Sequence, residues 1–475
     1  MANIQELKQY KNIHMIGIGG TSMSGIAEIL KNWGFHVEGS DTNRSEATDK
    51  LIESGIKVTI GHNPESVKNC DLVVYSAAVS ANDPELRKAN ELHIPTVERK
   101  VFLGAITRAF RNTICVSGTH GKSTTTSMVS MCFLESKLDP TIQLGAVLDP
   151  IEGNYRVGNS EYFILEACEY SESFLQFSPK AEIILNIDND HLDYYKTIDN
   201  IKEAFKKYIK LLPDDGILVY NADDPYCLHM SQFTKAKSIT FGIKNSNANF
   251  VAKNIVFDKN GYPSFDVYHN NVFYKTIKLS VPGKHNIMNA LSCIALCNEF
   301  GLDKTDIKNA LLKYTGAERR FQYLGEFNGA KVYDDYGHHP TEITAVAEAM
   351  KKKQYNHSWV VFQPHTYSRT KTLLDDFAKC LINFDNIIVT DIYAARESNT
   401  YGVSSKDIVN KIEELGRKSY YISNFDDIIE FLSRNVQPGD IILTQGAGTV
   451  TQIGHKLIKT PNHSQLRTHD IIIIK

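Results

Sequence analysis

Residues 114–126, ICVSGTHGKSTTT, lead from a β-branched apolar run into a loop with two glycines and then into a helix start rich in hydroxyl groups. A nucleoside triphosphate needs this combination, because closely approaching backbone N–H groups and a helix N-terminus favour its negative charge. It also needs a lysine for the phosphates and a hydroxyl for the magnesium ion. Gly118, Gly121, Lys122 and Ser123 supply these groups. The stretch therefore predicts a nucleotide site.

The spacing of this loop leaves a second interpretation open. In the general phosphate-loop pattern a glycine stands five residues before the glycine of the Gly-Lys pair, and here Val116 occupies that position. A glycine-rich surface turn is the alternative to a nucleotide site, and the rest of the chain has to discriminate between the two.

Length and composition indicate a multidomain globular protein. A chain of 475 residues is expected to form two to four domains of about 100 to 200 residues each. Apolar residues make up 42% and charged residues 23%, which is ordinary for a globular protein. The net charge of −3 gives no field for polyanions, so we expect no nucleic acid partner and no binding to anionic membranes.

Cysteine usage and the N-terminus favour a cytoplasmic protein. The eight cysteines contain no C-x-x-C pair, and the closest two are Cys293 and Cys297, which suggests reduced thiols rather than a disulfide framework or a zinc site. The N-terminus has no signal-peptide pattern, and no apolar run approaches the ~20 residues of a membrane span. We expect a cytoplasmic protein without membrane insertion.

The first hundred residues alternate short apolar runs with amphipathic segments, which predicts a doubly wound parallel sheet. The first strand-to-helix turn, GIGGTSMSG at 17–25, lies where such folds receive phosphorylated ligands, and Ser40 and Asp41 follow the second strand. The turn resembles the dinucleotide fingerprint G-x-G-x-x-G, but Ser22 replaces the third glycine. A ligand-phosphate site and a tight structural connection both remain possible, and a nicotinamide-dependent oxidoreductase is disfavoured.

Two acidic stretches follow the phosphate loop, each at the end of an apolar run: YFILEACEYSESF at 162–174 and EIILNIDNDHLDYY at 182–195. Carboxylates at strand ends that face a phosphate loop suit magnesium, which prefers oxygen ligands. Glu166 and Glu169 belong to the first stretch, and Asp190 and His191 to the second. His191 is either a structural residue or a ligand.

Beyond these stretches the chain changes character twice. Residues 250–281 show the alternation of antiparallel strands, and βα units resume from Ala330.

Asn286 is either the N-cap of the next helix or a side chain that reads a purine edge, and Arg319 and Arg320 are either a solvated pair or γ-phosphate ligands. The loops at 334–340 and 363–369 are rich in ionisable groups and are candidates for a substrate site. The tail at 461–475 ends in HDIIIIK, for which the sequence gives no physical explanation.

These motifs occur together in one family. The chain closely resembles the Mur ligases of peptidoglycan precursor synthesis over about residues 10–460. The resemblance is carried by HMIGIGGTSMSGIAEIL at 14–30, GTHGKSTTT at 118–126, LEACEYSESF at 165–174, NIDNDHLD at 186–193, GKHNIMNA at 283–290, ERRF at 318–321, YDDYGHHPTE at 333–342 and FQPHTYSRT at 362–370. The family's phosphate loop has the form G-T-x-G-K-[ST], so the resemblance explains Val116.

The resemblance implies an α/β fold of three domains. We expect a Rossmann-like UDP-sugar-binding domain at 1–106, a P-loop ATPase-like ATP-binding domain with a mostly parallel sheet at 107–321, and a Rossmann-like amino-acid-binding domain at 322–475.

The implied activity is an ATP-dependent amide ligation. Within the family the chain looks like the branch that joins L-alanine to the lactyl carboxylate of UDP-N-acetylmuramate through an acyl phosphate, with ATP and Mg²⁺. Ligation of a preformed tripeptide to the same sugar nucleotide, or non-catalytic binding of the sugar nucleotide, are the alternatives. We expect a monomer or a homodimer.

The resemblance also assigns residues, which we divide by role. The catalytic set is Lys122, Glu166, His191, Arg319 and Arg369, and the metal set is Ser123, Glu166 and His191. The predicted ATP-binding residues are Gly118, Thr119, His120, Gly121, Lys122, Ser123, Thr124, His285, Asn286, Asn289, Arg320 and Asp335. The predicted UDP-sugar-binding residues are Gly17, Gly19, Gly20, Thr21, Ser22, Met23, Ser40, Asp41 and Ser76. The predicted amino-acid-binding residues are His338, His365 and Arg369.

Overall fold

Three β-sheets organise the described chain, which runs from residue 7 to residue 460 of a computed structural model. They contain five, ten and six strands in chain order, and most neighbouring strands are parallel. The prediction of a three-domain α/β fold is confirmed, while the domain boundaries after residues 106 and 321 stay predictions. The isoleucine-rich tail at 461–475 lies outside the described residues.

The first sheet is entirely parallel, with the strand order β3-β2-β1-β4-β5. Its strands are β1 (Asn12–Ile16), β2 (His36–Asp41), β3 (Lys57–Ile60), β4 (Leu72–Tyr75) and β5 (Thr96–Glu98). Its helices are α1 (Thr21–Asn32), α2 (Glu46–Glu53), α3 (Pro84–Glu91) and α4 (Arg99–Thr107). Because the strand order reverses at β1, the loops after β1 and β4 flank the crevice where doubly wound sheets bind ligands.

The second sheet has the order β15-β14-β13-β12-β11-β10-β6-β9-β7-β8. Its strands are β6 (Asn112–Ser117), β7 (Thr141–Leu148), β8 (Gly153–Arg156), β9 (Tyr162–Glu166), β10 (Ala181–Ile184), β11 (Ile217–Asn221), β12 (Lys237–Gly242), β13 (Phe250–Phe257), β14 (Pro263–His269) and β15 (Val272–Lys278). Its helices are α5 (Lys122–Glu135), α6 (Leu192–Tyr195), α7 (Ile198–Ile209), α8 (Pro225–Leu228), α9 (Lys284–Glu299) and α10 (Lys304–Lys313).

Strand β6 lies between β9 and β10 and is parallel to both. The carboxyl ends of these three strands therefore meet at one edge of the sheet, which brings the phosphate loop and both acidic stretches together. Strands β13, β14 and β15 pair antiparallel, as their alternating sequence predicts.

The third sheet is parallel except for the pair β16-β17, and its order is β16-β17-β21-β18-β19-β20. Its strands are β16 (Gln322–Phe327), β17 (Ala330–Asp335), β18 (Ser358–Phe362), β19 (Asn386–Val389), β20 (Tyr420–Tyr421) and β21 (Ile441–Gln445). Its helices are α11 (Pro340–Met350), α12 (Tyr367–Thr372), α13 (Leu374–Leu381), α14 (Ser405–Glu414), α15 (Phe425–Asn435) and α16 (Thr451–Lys459).

The start of helix α11 agrees with the sequence-based expectation, whereas the start of α9 does not. Pro340 is the first residue of α11, where its missing N–H leaves no hydrogen bond unmade. The N-cap of α9 is Gly283, so the interpretation of Asn286 as an N-cap is wrong. Asn286 lies within the first turn, and its side-chain nitrogen donates to the carbonyl of Pro282 at 2.7 Å.

Helix α4 packs the first domain against the second. Gly104 lies so close to the short helical segment at 170–176 that a Cβ atom at position 104 would overlap the carbonyl oxygen of Gln176. Phe102 and Ile106 of α4 are fully buried in one apolar cluster with Phe163 and Phe174 of the second domain. Across residues 7–460, each helix is too short or too polar to cross a membrane.

Candidate active site

The phosphate loop joins β6 to α5 and depends on two glycines with positive φ angles. Gly118 has a φ of 135° and Gly121 a φ of 87°, which residues with side chains rarely adopt. Space is also limiting, because a Cβ atom at Gly118 would lie 2.9 Å from the Cβ of Leu185. The loop therefore requires glycine at both positions.

Asn186, which follows β10, fixes the path of this loop. Its backbone carbonyl accepts a hydrogen bond from the N–H of Thr119 at 3.0 Å. Its side-chain oxygen accepts from the N–H of His120 at 2.8 Å, and its side-chain nitrogen donates to the His120 carbonyl at 3.0 Å. One residue of the neighbouring strand end thus satisfies three backbone groups of the loop.

Lys122, which is partly buried, forms an ion pair with the buried Glu169. The Nζ of Lys122 lies 2.9 Å from Oε2 of Glu169 and donates to the carbonyl of Gly118 at 2.6 Å. Burial alone would lower the pKa of Lys122, but the Glu169 carboxylate outweighs burial and raises it. The lysine is therefore held charged at the base of the loop.

Glu166, the last residue of β9, lies in a cavity between the first two domains, which we call the N-terminal cavity. Its Oε1 accepts a hydrogen bond from the N–H of Gly145 at 2.7 Å. The cavity brings Glu166 together with five residues predicted to bind the UDP-sugar: Gly20, Thr21, Ser22, Met23 and Ser76. The crevice of the first sheet thus opens towards the acidic stretch of the second.

Hydrogen bonds at this cavity hold the glycine turn of the first domain in place. Gln143 of β7 donates from its side-chain nitrogen to the hydroxyl of Ser22 at 2.7 Å, and Arg99 donates to the same hydroxyl at 3.2 Å. Gly19 donates its N–H to the side chain of Asp41 at 3.0 Å. Asp41, which is predicted to bind the UDP-sugar, therefore stabilises the turn. The turn begins at Gly17, which has a φ angle of 76°.

Ser40 is not brought to the cavity. Its side chain is buried inside the first domain, where its hydroxyl donates to Oε2 of Glu85 at 2.6 Å. The same carboxylate oxygen lies 2.9 Å from Nε2 of His14. Ser40 therefore belongs to a buried polar network with Glu85 and His14.

A second cavity, the loop cavity, lies between the second and third domains. It is lined by eight predicted ATP-binding residues, which are His120, Gly121, Thr124, His285, Asn286, Asn289, Arg320 and Asp335, and by Tyr314 and Phe321. Asn289 donates to Oδ1 of Asn286 at 3.1 Å, so the two amides are mutually oriented. Burial lowers the pKa of His285 to about 4 and raises that of Asp335 to about 6.

The two arginines of ERRF point to different partners. Arg320 donates to the hydroxyl of Ser123 at 3.1 Å, and so reaches from the domain junction to the phosphate loop. Arg319 donates to Oδ2 of Asp334 at 3.1 Å and to the carbonyl of Gly446 at 2.6 Å, both in the third domain. The structure therefore brings Arg320, and not Arg319, to the loop.

A third cavity, the C-terminal cavity, contains His191 and Arg369 and is also lined by Asp190, Lys196 and Tyr401. Arg369 donates from its terminal nitrogen to Oδ1 of Asp190 at 2.7 Å, across the boundary between the second and third domains. The Nε2 of His191 lies 3.6 Å from Oε1 of Glu169, which connects this cavity to the lysine of the phosphate loop.

Two predicted amino-acid-binding histidines stand beside Arg369 as neutral rings. The His365 Nδ1 lies 3.0 Å from a terminal nitrogen of Arg369, and the rings of His338 and His365 are 5.3 Å apart. Burial lowers the pKa of His338 to about 3, and burial followed by the Arg369 charge lowers that of His365 to about 4. Neither ring adds positive charge to the cavity at neutral pH.

His120 links the loop to the third domain. Its Nε2 lies 3.1 Å from Oδ2 of Asp188, and its Nδ1 lies 3.3 Å from Oε1 of Glu342 in α11. Thr341 also donates to Asp188, at 2.8 Å. The phosphate loop therefore contacts both the segment after β10 of its own domain and helix α11 of the third domain.

Sequence reasoning missed several positioning residues: Gln143, Asn186, Asp190 and Glu342, and it left Glu169 without a role. Glu169 and Asp190 lie in the two acidic stretches, so the sequence does contain a pattern that points to them. The partners of Gln143, Asn186 and Glu342 are distant in sequence, and local patterns do not predict such pairs.

Family models cover most of the chain. The Mur ligase family, catalytic domain matches residues 12–111, the Mur ligase middle domain matches residues 116–297, and the Mur ligase, glutamate ligase domain matches residues 319–448. The chain belongs to the Mur ligase family. The family resemblance of the sequence motifs is therefore confirmed.

Several relatives within the Mur ligase family match nearly the whole chain. A UDP-N-acetylmuramate–L-alanine ligase from Acetivibrio thermocellus is 48% identical over 457 residues, which are 96% of this chain and 97% of the relative. One from Caldanaerobacter subterraneus is 46% identical over 454 residues, 96% of this chain and 98% of the relative. The crystal structure of a UDP-N-acetylmuramate-alanine ligase from Thermotoga maritima has a TM-score of 0.80 at 29% identity, covering 97% of this chain and all of that chain.

The ion pairs of His120 with Asp188 and Glu342 predict a pH dependence of stability. Burial favours a neutral imidazole, but the bonds with Asp188 and Glu342 dominate and raise its pKa to about 9. Because this value lies above the unfolded pKa of about 6.5, the stabilisation is fully present below about pH 6.5 and is lost as the pH rises through about 9. Thermal unfolding midpoints of wild type and His120→Gln should therefore differ most below about pH 6.5 and converge as the pH rises above about 9.

The exposed His455 of α16 offers a matched control. His455→Gln should follow the wild-type profile throughout. The unfolding midpoints of wild type and His120→Gln could instead differ by a constant amount up to about pH 10, one unit above the pKa of His120. That result would contradict the ion-pair interpretation.

Proposed function

We propose that this Mur ligase joins L-alanine to the lactyl carboxylate of UDP-N-acetylmuramate at the expense of ATP, with ADP and phosphate as the other products. The relatives that match 94% or more of the chain at 44–48% identity bear the name of this activity. The reaction belongs to peptidoglycan precursor synthesis.

The position of the phosphate loop supports the proposal most strongly. Three cavities, which are lined by residues of the three domains, surround this loop. Gly121 lines the loop cavity, while Lys122 pairs with Glu169, which lies 3.6 Å from His191 of the C-terminal cavity. Glu166, three residues before Glu169, lines the N-terminal cavity. A nucleotide, an acid and an amine therefore each have a separate approach to one reacting centre.

The first step is the attack of the lactyl carboxylate on the γ-phosphorus of ATP. A C–O–P linkage forms, the bond to the β–γ bridging oxygen breaks, and ADP leaves. Such phosphoryl transfer depends on positioning and on neutralising charge rather than on covalent help from the protein. Lys122 and Arg320 are the cations that we assign to this task, and His285, Asn286 and Asn289 are assigned to the adenine.

The side chains near the loop fit a magnesium ion, because they offer oxygen donors. Ser123 presents a hydroxyl at the start of α5, and Glu166 keeps its Oε2 free of the bond that Oε1 makes with Gly145. Glu166 and His191 line different cavities, so we assign Ser123 and Glu166 to one ion and His191 to a second. Bound magnesium neutralises phosphate charge and orients the transferring group.

The second step is the attack of the alanine amine on the carbonyl carbon of the acyl phosphate. A C–N bond forms, the tetrahedral intermediate collapses, phosphate leaves, and the amine loses its proton. We assign Arg369 to the carboxylate of alanine, because it lines the C-terminal cavity and Asp190 fixes its orientation. His338 and His365 are assigned to the walls of the amine site.

A substrate panel tests this function. Purified protein is incubated with ATP, Mg²⁺ and UDP-N-acetylmuramate, and with L-alanine, L-serine, glycine or the L-alanine-headed tripeptide. We expect phosphate release and a product of the corresponding mass with L-alanine at the lowest concentration. Turnover only with the tripeptide would favour the recycling activity, and phosphate release with none of the amines would favour a binding protein.

Lys122→Ala provides the control for the site of ATP. The variant should lose phosphate release because it lacks the cation at the phosphates, while UDP-N-acetylmuramate still binds to the distant glycine turn in calorimetry. Undiminished turnover of this variant would show that ATP binds elsewhere.

The two adjacent arginines form a matched pair for a second test. We expect Arg320→Lys to lower kcat about 10²–10³-fold, as loss of a donor to developing transition-state charge does. Arg319→Lys should mainly lower the unfolding temperature, since its guanidinium bonds Asp334 and Gly446. The reverse pattern, with kcat lost only at position 319, would exchange their roles.

A further inference from the structure

Three cysteines from distant parts of the sequence meet in the core of the middle domain. Cys132 lies on α5, and Cys293 and Cys297 lie one turn apart on α9. The sulfur of Cys293 is 3.6 Å from that of Cys132 and 3.9 Å from that of Cys297, and all three sulfurs lie within 4.8 Å of one another. All three are free thiols. We call this group the trithiol cluster.

The surroundings of the trithiol cluster disfavour added negative charge. Each of the three side chains is fully buried, in a cluster of apolar residues of the middle domain. A ligand that left the three sulfurs with a net negative charge would therefore be heavily penalised.

Charge balance selects among the ligands that three thiols prefer. Three thiolates around copper(I) carry two negative charges, and three around zinc carry one and leave the fourth position of zinc without a ligand. Arsenous acid instead reacts as As(OH)3 + 3 RSH → As(SR)3 + 3 H2O. Three As–O and three S–H bonds break, three As–S and three O–H bonds form, and no oxidation occurs. Reactant and product are both uncharged.

We propose that Cys132, Cys293 and Cys297 form a binding site for trivalent arsenic, in which the three sulfurs complete a neutral pyramid. The sulfurs already stand in a triangle, so formation of the three bonds needs no rearrangement of the chain beyond local adjustment. The two cysteines on α9 have the (i, i+4) spacing that places side chains on one helix face. Cys132 supplies the third ligand from the opposite helix.

The site lies between the two helices that begin at the ATP site. Helix α5 begins with Lys122 and Ser123, and the first turns of α9 carry Asn286 and Asn289. Because the sulfurs are buried, arsenous acid enters only when α5 and α9 separate transiently, so capture is slow. If ATP binds as proposed above, it holds the two helices together and slows capture further; this second statement rests on the proposed function.

The test uses the full reduced chain with sodium arsenite under anaerobic conditions. Native mass spectrometry should show one arsenic per chain with the loss of three hydrogens, and X-ray absorption should show three sulfur neighbours around arsenic. Cys132→Ala and Cys297→Ala, which alter different helices, should each weaken binding at least tenfold. Cys380→Ala is the matched control, because Cys380 is a buried free thiol of the third domain.

Circular dichroism establishes that each variant is folded, and the coordination of arsenic in the wild-type chain is decisive even if a variant is not. Fewer than three sulfur neighbours, binding unaffected in both folded cluster variants, or no uptake would each overturn the proposal. A non-hydrolysable ATP analogue should slow uptake several-fold. Uptake with three sulfur neighbours at an unchanged rate would leave the arsenic site standing and count against the proposed ATP site.

Discussion

The hydrogen bonds between Asn186 and the phosphate loop are the constraint on which the rest of the site depends. A loop whose glycines have positive φ angles would otherwise sample many conformations, and glycine loses more entropy on ordering than other residues. Asn186 satisfies the N–H of Thr119 and both backbone groups of His120. Because Asn186 lies two residues after the end of the central strand β10, the rigidity of the sheet is transmitted to the loop. Lys122 and Ser123 then start α5 in a fixed position.

Polar bonds attach the third domain to this fixed centre, whereas the first domain packs on the second mainly through the apolar residues of α4. Gln143 holds the glycine turn of the first domain, and Arg320 reaches Ser123 from the junction with the third. Bonds of this kind are easily exchanged for bonds to a ligand, and polar interfaces between domains permit relative motion. We therefore expect the third domain to close on the other two when substrates bind, which would exclude water and bring the reacting groups together.

The sequence predicted the parts of the molecule that depend on local pattern. The alternation of strands and helices, the antiparallel segment at 250–281 and the family motifs correspond to the observed elements. What it left open depends on side-chain direction. Nothing in ERRF distinguishes Arg319 from Arg320, because the difference arises from where Asp334 and Ser123 lie in space. Ser40 was assigned to a ligand from its strand-end position, yet its hydroxyl points inward to Glu85.

The ion pair of Lys122 and Glu169 explains how a partly buried lysine stays charged before its substrate binds. An ammonium group removed from water and left without a partner is costly, and it would tend to lose its proton. Glu169 prevents this, since its carboxylate keeps Lys122 charged. A triphosphate that reaches the loop brings more negative charge than one carboxylate, so it can take over the lysine without exposing it to water. Glu169 would then be released towards His191, 3.6 Å away, on the side of the C-terminal cavity. The same contact that stabilises the loop before the reaction thus offers a physical route from nucleotide binding to the third cavity.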